Sequence, residues 1–310
     1  MESIEKKYLK IIKKKIIEKN IFKEIEGILI TGSIGRKDKK ITDKNLNDVD
    51  LIVIANKIVS LERKRELEIE FNIILKTKFT DILFIQTKKF LKIYSKEKLE
   101  QTFYDISRGY IALYKTNKLT KILDEIEKKE FKVFTRSAYT NYCTRIWCLV
   151  GPYDLDEENK IIFKNLDFIR YQIRKAMSSI IDATLILDGV YKNIKVKEKI
   201  EDLKKTKYYF EYKNFYDEIL LIYQNLELEI NDSQYLKVLN LYIFFGKIIL
   251  KNKILFYELI KEKPYIILKK DNFSLIYKYV KSYKYLEKIY KILKFRIKEE
   301  DLKKYLLYFK

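Results

Sequence analysis

Residues 49–55 read Val-Asp-Leu-Ile-Val-Ile-Ala, a run in which every position except Asp50 is apolar. A one-sided strand alternates apolar with polar residues, so a run apolar on both faces predicts a central strand covered on both sides. On its N-terminal side, residues 27–31 form a second short apolar run that ends in Thr31-Gly32-Ser33-Ile34-Gly35-Arg36, and a polar loop then leads to Asn47-Asp48. On its C-terminal side, Ser60 is placed to cap a helix reaching about Lys76, and residues 79–86 (FTDILFIQ) predict a third strand carrying Asp81.

Further out, Ile4, Leu9, Ile11, Ile12, Ile16 and Ile17 draw a helical stripe over residues 3–19, ending near Asn20. Arg108-Gly109-Tyr110 predicts a turn into the strand IALY, which closes the unit around Asn117. The expectation is an α/β (α+β) domain with a small mixed sheet over residues 1–118. Beyond Leu119 the strand signal gives way to helical periodicity. Leu166, Ile169, Ile173, Met177, Ile180, Thr184 and Leu187 mark one face of a helix of more than six turns, with Gly189 placed to stop it. Further helices are expected at about 197–228, 233–261 and 272–309, with Asp232 and Asp271 near starts and Pro264 in a break. Residues 119–310 therefore read as an all-α helical bundle.

The 310-residue chain contains no histidine, which excludes Ser-His-Asp and Cys-His nucleophiles and imidazole-ligated metals. Chemistry here must run on carboxylates, oxygen-bound metals, lysine, tyrosine or backbone groups. Cys143 and Cys148 are the only cysteines, so no disulfide framework or thiolate zinc site can form. Two prolines and seven glycines are too few for a disordered or turn-rich all-β chain. The N-terminal residues lack a signal-peptide core, and lysines interrupt the apolar stretch near Val238–Gly246, so the expectation is a cytoplasmic protein with no membrane partner.

The net charge of +21 would ordinarily suggest a polyanion partner. Only nine of the 65 basic residues are arginine, however, and the chain is rich in Ile, Tyr, Asn and Phe, all written by A/T-heavy codons. Codon bias alone would produce this lysine excess, which discounts the charge as evidence for nucleic acid.

The chemistry concentrates at three places. Side chains two apart on a strand share a face, so Asp48 and Asp50 present two carboxylates together at the start of a buried strand. Adjacent carboxylates repel unless a cation lies between them, and without imidazole or thiolate a hard divalent ion such as Mg²⁺ fits best. Asp81, flanked by apolar strand residues, could join that site, and three acids on neighbouring strands can bind two metals for in-line displacement at phosphorus. Gly32-Ser33, at the end of an apolar run, lets the backbone approach an anion closely and makes a phosphate cradle. Asp105, at another element boundary, is the alternative third acid.

The order Gly32-Ser33, Asp48-Val49-Asp50, Asp81 resembles the signature of the DNA polymerase β-like nucleotidyltransferases, over roughly residues 22–114. The turn at Ser107-Arg108-Gly109 before a strand ending in Leu113-Tyr114 is similar to the segment after the third Asp in many members. That resemblance implies transfer of a nucleoside monophosphate, with AMP from ATP favoured, to a hydroxyl acceptor. Asp48 and Asp50 would hold both Mg²⁺ ions, and Asp81 would hold the catalytic one and help activate the acceptor. The string GSIGRKD with Asn-Asp-Val-Asp looks most like a bacterial subgroup that carries Gly-Arg-Gly-Glu after the first motif, some of whose members lie near polysaccharide-synthesis genes. Lys37 stands where that pattern has glycine, and Asp38 where it has glutamate.

Arginine in so lysine-rich a chain can mark a place where a planar fork is needed. Arg36, just after Gly32-Ser33, is expected at the triphosphate. Arg136, Arg145, Arg170 and Arg174 fit ion pairs at least as well. The subgroup resemblance favours a small-molecule or glycan-related acceptor, with the helical half choosing it. The alternatives are an RNA or tRNA 3′-end transferase and a catalytically silent nucleotide-binding or toxin-antitoxin component.

Overall fold

A computed structural model describes residues 4–18, 24–38, 49–77, 80–145, 147–150, 153–155, 161–163 and 165–246. Asp48, Phe79, Asn20 and the expected helix at 272–309, with Asp271 and Pro264, lie outside the described residues, as does the expected 233–261 helix beyond Gly246. Two compact units are present. One comprises Met1–Phe134 with Lys192–Glu198, and the other comprises Thr135–Tyr191 and the chain from Lys199 onward.

The first unit contains, in chain order, α1 (Ile4–Glu18), β1 (Ile25–Ile30), α2 (Gly32–Gly35), β2 (Val49–Ala55), α3 (Leu61–Leu75), β3 (Thr80–Gln86), α4 (Thr87–Tyr94), β4 (Lys98–Leu99), α5 (Gln101–Arg108), β5 (Ile111–Lys115), α6 (Asn117–Lys128) and β6 (Lys132–Val133). The four-stranded sheet has the order β3-β2-β1-β5, with β1 antiparallel to both neighbours and β2 parallel to β3 through the α3 crossover. It is a small mixed sheet, as the sequence predicts.

Strand β2 occupies the residues read from the sequence and is buried at every position except the half-buried Asp50. Its Val49, Leu51, Val53 and Ala55 join Ile28 and Ile30 of β1 in one core with Ile12 and Ile16 of α1 and Leu67, Phe71, Ile74 and Leu75 of α3. The opposite face carries Leu29, Ile52 and Ile54, also buried, and Gly27 on that face lets Leu119 of α6 pack directly on the strand backbone. Each fully buried aliphatic side chain in such a double-sided sheet stabilises the fold by about 1.5–3 kcal/mol. Helix α3 starts where expected, the Ser60 hydroxyl accepting from the Arg63 amide at 3.2 Å, and stops at Lys76, whose φ of 52° is left-handed.

The second unit contains α7 (Arg136–Arg145), α8 (Trp147–Val150), β7 (Tyr153–Leu155), β8 (Ile161–Phe163), α9 (Leu166–Leu187), most of α10 (Val196–Leu203), α11 (Lys207–Glu211), α12 (Lys213–Gln224) and α13 (Asp232–Phe244). Helix α9 has 22 residues, with Ile169, Ile173, Met177, Ile180 and Thr184 fully buried along the expected stripe. The helix ends at Asp188, followed by Gly189 at φ 73°.

The helical stretch at 197–228 divides into three helices, because Thr206 caps a new helix by accepting from the Tyr209 amide and Tyr212 leaves helical geometry. One expectation is corrected: the chain beyond Leu119 also holds strands. Strand β6 pairs with β4, and β7 pairs antiparallel with β8. Runs of two or three residues are too short for alternation to register in a sequence. Among the described residues, no helix is long and apolar enough to cross a membrane.

Candidate functional site

The turn that follows β1 is anchored on β2. The Thr31 amide donates to the Asp50 carbonyl at 2.9 Å, and the single-turn helix α2 begins at once with Gly32 at φ 61°. A Cβ added to Gly32 would fall 1.8 Å from Asp50 Oδ2. Glycine is therefore required twice over, by a left-handed backbone and by the carboxylate lying against it. The turn closes through amides of Gly35 to the Thr31 carbonyl (2.9 Å), Arg36 to Gly32 (3.0 Å) and Asp38 to Ser33 (2.9 Å). Ser33 is half-buried beside Gly32.

Asp81 lies directly across from Asp50 in the parallel β2–β3 register. Paired residues of a parallel ladder project to the same face, so the fold brings these two carboxylates together at the N-terminal ends of neighbouring strands. Asp50 is half-buried and Asp81 exposed. Among the described residues no cluster of three or more acids, cysteines or histidines suits a metal. The third acid of the expected set, Asp48, lies outside them. The donors present are hard oxygens in a chain with no imidazole, and that chemistry fits Mg²⁺.

Asp105 is not a strand-end acid. It lies on α5, where its carboxylate accepts an ion pair from Arg36 Nη1 at 3.5 Å. The same guanidinium bonds Asp38 through Nε at 3.0 Å. The fork expected at a triphosphate is thus held by two carboxylates, a role that nothing in the sequence spacing signals. Asp105 also faces Tyr94, a tyrosine pushed well above its ordinary range first by burial and then by that carboxylate. The Tyr94 hydroxyl stays protonated and donates to the Phe103 carbonyl at 2.8 Å.

Behind the turn the backbones of Gly35 and Gly109 meet. A Cβ on Gly35 would lie 2.6 Å from the Ile30 carbonyl oxygen and 3.3 Å from that of Gly109, and one on Gly109 would lie 2.6 Å from Ile194 Cδ1. Lys37, at φ 63°, is left-handed. The backbone there holds a glycine-favouring conformation under a lysine side chain.

The other four arginines weighed from the sequence, Arg136, Arg145, Arg170 and Arg174, sit in the second unit. Arg170 Nε donates to the Leu228 carbonyl at 2.8 Å and Nη1 pairs with Asp167 at 2.9 Å, while Arg174 Nε donates to the Tyr223 carbonyl at 3.0 Å. Both brace α9 against the chain around α12. Arg145 is exposed, and Arg136 opens α7.

No family model and no curated protein matches the chain. Among solved structures, a nucleotidyltransferase-like protein from Exiguobacterium sibiricum 255-15 is 12% identical, with 88% of each chain covered and a TM-score of 0.31. A tri-AMPylated HEPN toxin in complex with MNT antitoxin from Shewanella oneidensis is 13% identical over 37% of this chain and 79% of that one, with a TM-score of 0.24. A toxin-antitoxin with AMP-PNP is 13% identical over 37% and 83%, with a TM-score of 0.25. At these scores the likenesses decide neither the fold nor the activity, and the functional reading rests on the residues themselves.

Proposed function

We propose that the protein is a Mg²⁺-dependent nucleotidyltransferase that moves a nucleoside monophosphate, AMP from ATP, to a hydroxyl acceptor. One observation carries the reading: Asp50 and Asp81 stand in register on neighbouring strands while the Gly32 backbone lies against the Asp50 carboxylate. Two carboxylates in register beside a glycine turn offer hard oxygen donors that suit a divalent cation. Asp50 and Asp81, with Asp48, would hold two Mg²⁺ ions, which supply clamping of the attacking and leaving oxygens. Gly32 and Ser33 offer backbone and hydroxyl to phosphate oxygens, and Asp81 helps take the proton from the acceptor hydroxyl. We assign acceptor choice to the second unit and favour a small-molecule or glycan-related acceptor.

Incubating the protein with each NTP, Mg²⁺ and either total RNA or a metabolite extract, followed by mass analysis, tests this reading. A product heavier by one AMP in the metabolite arm is the expected result. Incorporation at RNA 3′ ends would instead assign the acceptor to nucleic acid. Nucleotide binding without any transfer would overturn the enzymatic reading.

A further inference from the structure

The Gly32-Ser33 turn must be held in place by something other than its own single helical turn, since one turn closed by a few backbone bonds is marginal in water. Its far end carries Arg36, whose guanidinium is gripped by Asp38 from within the turn and by Asp105 from α5. The three side chains are largely covered, with 23%, 14% and 15% exposure in that order. Helix α5 is itself tied down at two places. The Tyr104 hydroxyl donates to the Lys192 carbonyl at 3.0 Å, and Arg108 Nη2 donates to the Lys129 carbonyl at 3.1 Å. The turn meets α5 again where Gly35 and Gly109 stack, with Ile194 closing over Gly109.

We infer that Asp105 is a positioning residue, which through Arg36 fixes the Gly32-Ser33 turn over Asp50 and so sets nucleotide affinity. This deepens the proposed function and rests on it. The guanidinium bridges the turn and α5 by charge, and two carboxylates satisfy its fork without phosphate. Arg36 then acts from behind the turn, and a nucleotide meets the backbone that Arg36 holds. A displacement of about 1 Å at a phosphate-facing backbone is enough to cost a large factor in binding or rate.

The competing role, Arg36 as a phosphate ligand restrained by its acids, has the opposite sign. Neutralising Asp105 would free the guanidinium and tighten nucleotide binding. The experiment measures binding of AMP-PNP with Mg²⁺ by calorimetry for the wild type, Asp105→Asn, Arg36→Met and the double variant, and amide hydrogen exchange at Gly35 and Arg36 without nucleotide. The expected result is a Kd raised roughly tenfold in each single variant, no further rise in the double, and faster exchange at both amides in Asp105→Asn. Asp105→Glu, which keeps the charge, should recover most of the affinity and protection. A lower or unchanged Kd in Asp105→Asn, or single effects that multiply in the double variant, would overturn the inference. Exchange alone reads the positioning of the turn, so a wild type that binds no nucleotide overturns the proposed function without deciding the role of Asp105. If the asparagine variant fails to fold, the Asp105→Glu and Arg36→Met pair carries the same comparison.

Discussion

In the first unit the sheet brings one carboxylate opposite another, Asp50 across from Asp81, whereas in the second unit buried charge meets its opposite. Lys199, only 6% exposed, donates to Asp182 Oδ1 and to the Tyr191 hydroxyl, both at 2.8 Å. The second unit treats its tyrosines in the same way. Tyr142 and Tyr242 stack at 4.5 Å and each hydroxyl donates to the other's carbonyl, while the Tyr235 hydroxyl donates to the Leu149 carbonyl. These polar groups of the second unit are matched, donor to acceptor, and hold helices together. The contrast shows where to look for chemistry: a pair of opposite charge explains itself by stability, and two acids in register suit a cation.

Breaking the matched pair should have the largest effect. Lys199→Met leaves the Asp182 carboxylate buried beside an apolar side chain, and the loss of one partner of such a pair costs about 3–5 kcal/mol. Urea denaturation should record a drop of that order, with most of it recovered when Asp182→Leu is added. Equal stability of wild type and Lys199→Met would show that the pair is no brace.

On the other side of the comparison, Gly32→Ala forces a Cβ into the Asp50 carboxylate and a left-handed backbone under a side chain. The backbone alone costs about 1 kcal/mol. Affinity for AMP-PNP should fall at least about tenfold, because the carboxylate must move. An unchanged Kd in a folded variant would separate Gly32 from the site. In contrast, Lys37→Gly relieves a left-handed lysine close by, and should raise stability by about 0.5–1 kcal/mol as read by denaturant midpoint. A loss of stability there would mean that the Lys37 side chain contributes more than its backbone costs.

The smallest effect concerns pH. Tyr209 is pushed up to about 12, chiefly by the bond its hydroxyl donates to Asp217 at 2.6 Å, and Asp217 is lowered by the same bond. A raised tyrosine lends stability that is present below its unfolded value near 10 and is lost as pH rises through about 12. A lowered carboxylate lends stability present above its unfolded value near 3.9 and lost as pH falls through its folded one. Tyr209→Phe should flatten the stability profile at both extremes and leave the neutral range nearly unchanged. A thermal scan across pH that shows no flattening would remove this pair from the account.

How much of this could be read in advance depends on element length. Val49–Ala55 and Leu166–Leu187 were legible because seven apolar-flanked and 22 periodic residues leave little ambiguity. Helices α4 and α5 have eight residues each, about two turns, and their short apolar stripes pass for the gaps between strands. That is why Asp105 reads as a boundary acid when it stands mid-helix. That Asp50 and Asp81 lie on neighbouring strands was legible, but their register was not, because the crossover through α3 sets it. The grip of Asp38 and Asp105 on Arg36 depends on α5 folding back to the turn, which no local pattern records.

We assign Asp50 and Asp81 to Mg²⁺ and one nucleotide beneath Gly32. Calorimetric titration of AMP-PNP, with and without Mg²⁺, into wild type, Asp50→Asn and Asp81→Asn tests this assignment most directly, with circular dichroism to establish that each variant is folded. Mg²⁺ should strengthen binding in the wild type, that strengthening should vanish in Asp50→Asn and Asp81→Asn, and transfer rates should fall at least about a hundredfold with each change. Folded variants that bind AMP-PNP with the wild-type response to Mg²⁺ would contradict it.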